Sequence, residues 1–197
     1  MKLIRITFSL LLVGVLFACG SSTSENNEGT AGSDIVLESL NKENLLKEIA
    51  RREEVLNNDT SGIDKQKAKE LMDAYIVFSE RFSSYEGAAD NLFKAGEIAM
   101  GLNMTAEAIR CFDKVFNDFS DYEKRPYALF LKAFVLENQA QNFEEAKRIY
   151  QLFLVEFPTH EMADDAEYSI KNIGKSPEEL IREFEIQDSI KKAKEQV

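Results

Sequence analysis

The sequence resembles itself at an interval of 37 to 38 residues, and that repeat limits the possible fold more than any other feature. Shifted by 38, Lys94-Ala95 falls on Lys132-Ala133, Glu107-Ala108 on Glu145-Ala146, Phe112 on Tyr150, Val115 on Phe153 and Phe119 on Phe157. Shifted by 37 in the other direction, Phe119-Ser120-Asp121-Tyr122-Glu123 falls on Phe82-Ser83-Ser84-Tyr85-Glu86, with Phe112 on Tyr75 and Val115 on Phe78. Three registers at nearly one period define a stack of like units. Inside each unit the apolar residues recur at three and four, as in Leu71, Tyr75, Phe78 and Phe82, or Ala108, Phe112, Val115 and Phe119. That is the period of a helix, and no convincing two-residue alternation of a strand accompanies it. A lone helical hairpin cannot cover its apolar face, so each unit must lean on its neighbours and the terminal units must be capped. The expected fold is all-α, an antiparallel helix-hairpin repeat solenoid of about eight helices.

The periodicity predicts helices over 42–57, 64–82, 86–101, 104–118, 125–140, 143–157, 160–173 and 177–194. The last has the clearest start. Ser176, Pro177 and Glu179 stand at the cap, first and third positions of a capping box, just after Gly174, a residue suited to ending the preceding helix. Roughly 160 residues in such helices are ample for one core.

In the second full unit, small Ala133 faces small Ala146, the turn runs Asn142-Phe143-Glu144-Glu145-Ala146, and Phe157-Pro158 closes the second helix. This unit resembles the tetratricopeptide repeat, and the resemblance extends over about residues 66–185. The first full unit carries Ala95, Gly96, Ala108 and Phe112 but has Ser120 where that family places proline. The period of 37 to 38 exceeds the family's usual 34. It is similar to the long-period variant found in periplasmic envelope proteins of the barrel-assembly lipoprotein and Tol-Pal-associated type. The resemblance implies that the first helix of each unit lines a concave groove that accepts peptides. Carried over residue by residue, it implies a partner-binding face of Phe93, Glu97 and Met100 in one unit and Leu131, Val135 and Asn138 in the next. With so few repeats, the N-terminal helices or the last helix could instead fill that groove and turn these residues into core.

At the other end of the chain, Lys2 and Arg5 precede an apolar run from Ile6 to Ala18. Thirteen residues are too few to span a bilayer, which needs about 20, so residues 1–18 read as a cleavable signal peptide. The run stops at Leu16-Phe17-Ala18-Cys19-Gly20, which resembles the lipobox of bacterial lipoproteins. The resemblance implies cleavage before Cys19, a diacylglyceryl group on its thiol and usually an acylated amine. Each buried methylene contributes about 0.8 kcal/mol, so two or three chains anchor firmly where one is marginal. Gly20 rather than Asp after the cysteine resembles outer-membrane sorting in enterobacterial lipoproteins, with the periplasmic face expected.

Residues 19–34 comprise this cysteine and a Ser-, Asn- and Gly-rich stretch with no large apolar side chain. That stretch is expected to be a disordered tether with an end-to-end distance on the order of 20 Å. Residues 35–65 are expected to hold an N-terminal helix and a connection, and residues 66–197 the repeats with a C-terminal capping helix. Leu45, Ile49 and Leu56 give barely two heptads, too little for a stable coiled coil.

The chemistry-bearing residues are few. The chain has one histidine, His160, expected on the surface at a helix start, and no motif offers it an oriented partner. Cys111 sits among Ala108, Phe112 and Val115, where packing is expected, and with Cys19 lipidated it has no disulfide partner. Asp164-Asp165 and Glu144-Glu145 lie in first helical turns, where carboxylates suit the helix dipole. Lys191, Lys192 and Lys194 suit a helix C-terminus. Neither a phosphate-cradling glycine loop nor a zinc pattern is present, so no cofactor or metal is expected. Loss of residues 1–18 would remove two of the 24 basic residues and none of the 35 acidic ones, leaving about −13, which disfavours nucleic acid as a partner. The expectation is a non-enzymatic, lipid-anchored envelope scaffold that binds other proteins in outer-membrane assembly or maintenance. The alternative is a small-molecule or glycan-binding accessory for nutrient uptake.

Overall fold

A computed structural model describes residues 36–58, 62 and 64–195. The expected signal peptide (1–18), Cys19 and the expected tether (19–34) lie outside the described residues. After a 3₁₀ turn, Leu37–Ser39, come α1 (Lys42–Asn57), α2 (Lys65–Arg81), α3 (Ala88–Gly101), α4 (Thr105–Asp118), α5 (Arg125–Asn138), α6 (Phe143–Glu156), α7 (Ala163–Asn172) and α8 (Pro177–Glu195). Each of the expected helices is present within three residues at either end, and no strand occurs among the described residues. None of these helices is long and apolar enough to cross a membrane.

The helix ends follow from local chemistry. Asn41, Asp64 and Asn142 each cap a helix, their side chains accepting backbone N–H groups of Asn44, of Gln66 and Lys67, and of Glu145. The capping box of α8 is reciprocal: Ser176 Oγ accepts from Glu179 N–H, and Glu179 accepts from Ser176 N–H at 2.7 Å. The second helix of each hairpin stops on a phenylalanine. Phe82, Phe119 and Phe157 leave the helix at φ −130°, −125° and −134°, each N–H donating to the carbonyl four residues back. Six residues then lead into the next unit each time, 82–87, 119–124 and 157–162.

Packing runs hairpin by hairpin: α1 on α2, α2 on α3, α3 on α4, and so on to α7. The N-terminal helix α1 packs on α2 as the first helix of a further hairpin, with Leu45 and Ile49 buried in the shared core. Aromatic rings fill the space between the two helices of a hairpin. Phe93 meets Phe112 edge-on at 5.7 Å, and one unit later Phe130 meets Tyr150 at 5.3 Å and Phe153 at 5.7 Å. Burying each such ring contributes about 1.5–3 kcal/mol, and this supports units that carry no disulfide.

Those ring pairs also show that the repeat has two registers. Phe112 and Tyr150 stand 38 apart, but Phe93 and Phe130 stand 37 apart. The added residue lies in the hairpin turn: α3 joins α4 through 102–104, whereas α5 joins α6 through 139–142. The equivalent of Gly96 is accordingly Ala133, and the match of Lys94-Ala95 to Lys132-Ala133 is out of register by one residue.

The expected capping by α8 is not what the packing shows. None of its described residues is buried, and Phe184 is 74% exposed. The reason lies in its residue pattern: Leu180, Ile181, Phe184, Ile186 and Ile190 are spread around the helix among charged side chains. Such a helix has no single apolar stripe to lay on α7.

Candidate partner-binding groove

The first helices of successive hairpins, α3 and α5, together with the approach to α7, enclose a cleft of about 580 Å³. Phe93, Phe130, Leu131 and Met162 provide an apolar floor, Tyr127 a wall, and Glu97, Glu123 and Lys124 the rim. Phe93 and Phe130 face this way because the same side of each first helix also meets the second helix of its own hairpin. The floor is thus the outer surface of the core, and its shape is fixed by the packing.

Polar contacts order the rim. Asp90 accepts from Tyr122 Oη at 3.0 Å and pairs with Lys94 Nζ at 3.0 Å and Lys124 Nζ at 3.5 Å. Burial opposes its charge, but the bonds from Lys94 and Tyr122 and the charge of Lys124 prevail and hold the carboxyl below the usual range. Lys124 lies 5.3 Å above the Phe93 ring, and Lys94 reaches Glu53 at 3.8 Å. Glu97 is exposed at the mouth, yet the apolar wall strips part of its hydration and raises its pKa. Lys124 counters this, Asp90 adds to it, and Lys94 counters it again. Tyr127 donates its hydroxyl to Glu161 and stacks edge-on against His160 at 4.9 Å.

Of the six expected groove residues, Phe93, Glu97 and Leu131 line this cleft, and Phe93 does so as floor, only 4% exposed. Val135 is 0% exposed and belongs to the core, so it cannot meet a partner. Met100 is half-buried outside the lining, its carbonyl accepting from Gln139 Nε2. Asn138 lines a separate cleft of about 440 Å³ near the start of α8. The displacements of Val135 and Asn138 share one cause. They stand 38 residues after Glu97 and Met100, while α5 follows α3 at 37, and one residue turns a helix by about 100°. The structural counterparts of Phe93 and Glu97 are Phe130, which is floor, and Phe134, which is exposed.

His160 also differs from expectation. It is half-buried, packed against Tyr127 and Phe153, with Nδ1 accepting the Met162 N–H at 3.2 Å. Cys111 is fully buried, and burial pushes its thiol up to about 11. Among the described residues no group of three or more potential metal-ligating side chains comes together. Glu123, Lys124, Tyr127, Phe130 and Met162 were missed. Tyr127 could have been found as the residue one turn before Leu131 on the same face, but the connection residues carried no periodic signal.

Architecture and groove together define a helical-hairpin repeat solenoid with an open concave face. Residues 90–122 and 127–160, which hold the hairpins α3–α4 and α5–α6 that form most of the groove, match the tetratricopeptide repeat family. No curated protein matches the chain. Repeats of this class suggest a scaffold for protein–protein interaction.

Proposed function

We propose that this protein is a lipid-anchored scaffold of the bacterial envelope that holds a segment of a partner protein in the groove between α3 and α5, in outer-membrane assembly or maintenance. One observation carries the binding assignment: an apolar floor of Phe93, Phe130, Leu131 and Met162, open to solvent, beneath a rim of charged side chains. Apolar anchors seated in a pocket supply most of the energy of such contacts, while rim charges set orientation and partner choice. The envelope assignment is supported by the Lys2–Ala18 signal pattern, by Leu16-Phe17-Ala18-Cys19-Gly20, and by the resemblance of the long repeat to envelope proteins.

Photocrosslinking in intact cells tests both parts. A photoreactive amino acid replacing Leu131 should capture one or a few defined proteins, and Leu131→Glu should prevent the same capture from a probe at Glu123. Cys19→Ala should release the protein from membranes or leave it as an unprocessed precursor. Unchanged membrane retention in Cys19→Ala would remove the anchor, and unchanged capture in a folded Leu131→Glu variant would remove the groove.

A further inference from the structure

We infer that the occupant of this groove is a cationic partner segment, an apolar side chain flanked by lysine or arginine, seated with its positive charges on Glu97 and Glu123. The inference rests on the reading of the groove as a docking site and adds the chemistry of what docks.

The charges around the cleft lead to it. Every cation on the helices that form the walls is already engaged. Lys94 lies on Asp90 and Glu53, Lys124 on Asp90 and the Phe93 ring, and Lys132 on Asp113. Arg125 covers the Phe116 ring at 4.2 Å, away from the cleft, and pairs with Glu156. Glu53, Asp90, Lys94 and Lys124 thus form one balanced cluster of two acids and two bases. Glu97 and Glu123 have no ion-pair partner among the described residues, and the only bond Glu161 makes there is to the Tyr127 hydroxyl. The lining therefore presents apolar surface with surplus negative charge at its edges. Lys124 is not available to clasp an acidic ligand, because it would have to leave Asp90 and the face of Phe93.

The partial desolvation of Glu97 points the same way. Its carboxylate is held in the ionised form at a cost that an incoming ammonium or guanidinium would relieve. An acidic segment would face the reverse, like charges over an apolar floor. The whole chain, at −11, adds a long-range field that favours approach of a positive partner.

A random dodecapeptide phage library, panned on the full-length protein in detergent and counter-selected on the Leu131→Glu variant, tests this. The expected outcome is enrichment of peptides with net positive charge around at least one large apolar residue. The best of them, synthesised and measured by fluorescence anisotropy, should bind about tenfold more weakly to the Glu97→Gln/Glu123→Gln double variant. It should also weaken several-fold between 50 and 200 mM salt. The Glu97→Lys/Glu123→Lys variant should select acidic peptides instead.

Groove-dependent peptides that are neutral or acidic would overturn the cationic assignment and leave the docking site standing. Failure to enrich any peptide lost on Leu131→Glu would overturn both. A full-length protein that sediments as an oligomer, and as a monomer once Leu131→Glu is introduced, would show a second copy in the groove and also overturn the assignment.

Discussion

The ring of Phe112 lies so close to the backbone of Gly96 that a Cβ at position 96 would come within 2.6 Å of its Cε1 and 2.9 Å of its Cδ1. Glycine in mid-helix ordinarily costs about 1 kcal/mol relative to alanine. Here the absent side chain is the space into which α4 sets its main aromatic, itself held by Phe93 at 5.7 Å. The sign of the usual substitution should therefore reverse. Gly96→Ala is expected to destabilise by about 1–3 kcal/mol through overpacking, seen as a lower midpoint in urea denaturation. Gly96→Ala with Phe112→Leu should recover part of the loss. A raised midpoint for Gly96→Ala alone would mean that the ring can move aside freely.

Arg125 joins the two repeats at their connection. Its Nε donates to the Phe116 carbonyl at 2.9 Å while the guanidinium covers the rings of Phe116 at 4.2 Å and Phe157 at 5.4 Å. Planar stacking combined with a directed hydrogen bond is something a lysine ammonium cannot reproduce. Arg125→Lys is expected to lose about 1–2 kcal/mol, a fall in Tm of about 3–6 °C followed by circular dichroism at 222 nm. A Tm within 1 °C of the parent, by the ~1 °C noise expected for a neutral surface change, would show that charge alone suffices.

How much of this was readable beforehand depends on which interactions set each feature. Helix positions were legible because Ala108, Phe112, Val115 and Phe119 encode a local period, and the capping box at Ser176 and Glu179 is local as well. The rotation of α5 was not, since the one-residue difference sits in the turn 139–142, and the chance identity of Lys94-Ala95 with Lys132-Ala133 favoured the wrong register. The groove suffered most, because a one-residue slip turned Val135 inward and left Phe130 and Tyr127 unnoticed. Glu123, Lys124 and Met162 reach the cleft only through the path of the six-residue connections, which tertiary packing determines. The separate course of α8 was visible in principle: Leu180, Ile181, Phe184, Ile186 and Ile190 fall at scattered angles around the helix and form no single stripe.

Cys111 gives a probe of the core. Its thiol is fully buried and burial pushes its pKa up to about 11, so at pH 8 only about one thiol in a thousand would be ionised. In a Cys19→Ala protein, Cys111 should resist iodoacetamide at pH 8 over hours and react within minutes in 6 M urea, as read by mass spectrometry; both times are rough, order-of-magnitude expectations. Rapid labelling in native buffer would mean that α4 opens far more readily than its packing implies.

Asp90 and Glu97 lie on the same helix and shift in opposite directions, which gives their neutral variants opposite pH signatures. For Asp90, burial opposes ionisation but Lys94, Tyr122 and Lys124 outweigh it, so the folded pKa lies below the unfolded value. Its contribution to stability is present above the unfolded pKa of about 3.9 and is lost as pH falls through the folded value. Asp90→Asn should lower Tm at pH 7 by about 2 °C, a difference that shrinks in acid. For Glu97, burial raises the folded pKa above the unfolded one, so its ionised form costs stability. That cost is absent below the unfolded pKa of about 4.3 and complete above the folded pKa. Glu97→Gln should therefore raise Tm by about 1 °C at pH 7 and leave it unchanged near pH 4. A stability given up at neutral pH by a side chain on the groove rim is what a residue kept for binding would show. If Glu97→Gln lowered Tm at pH 7, the carboxylate would have to be stabilised by its surroundings, and its place as a charge held ready for a partner would be lost.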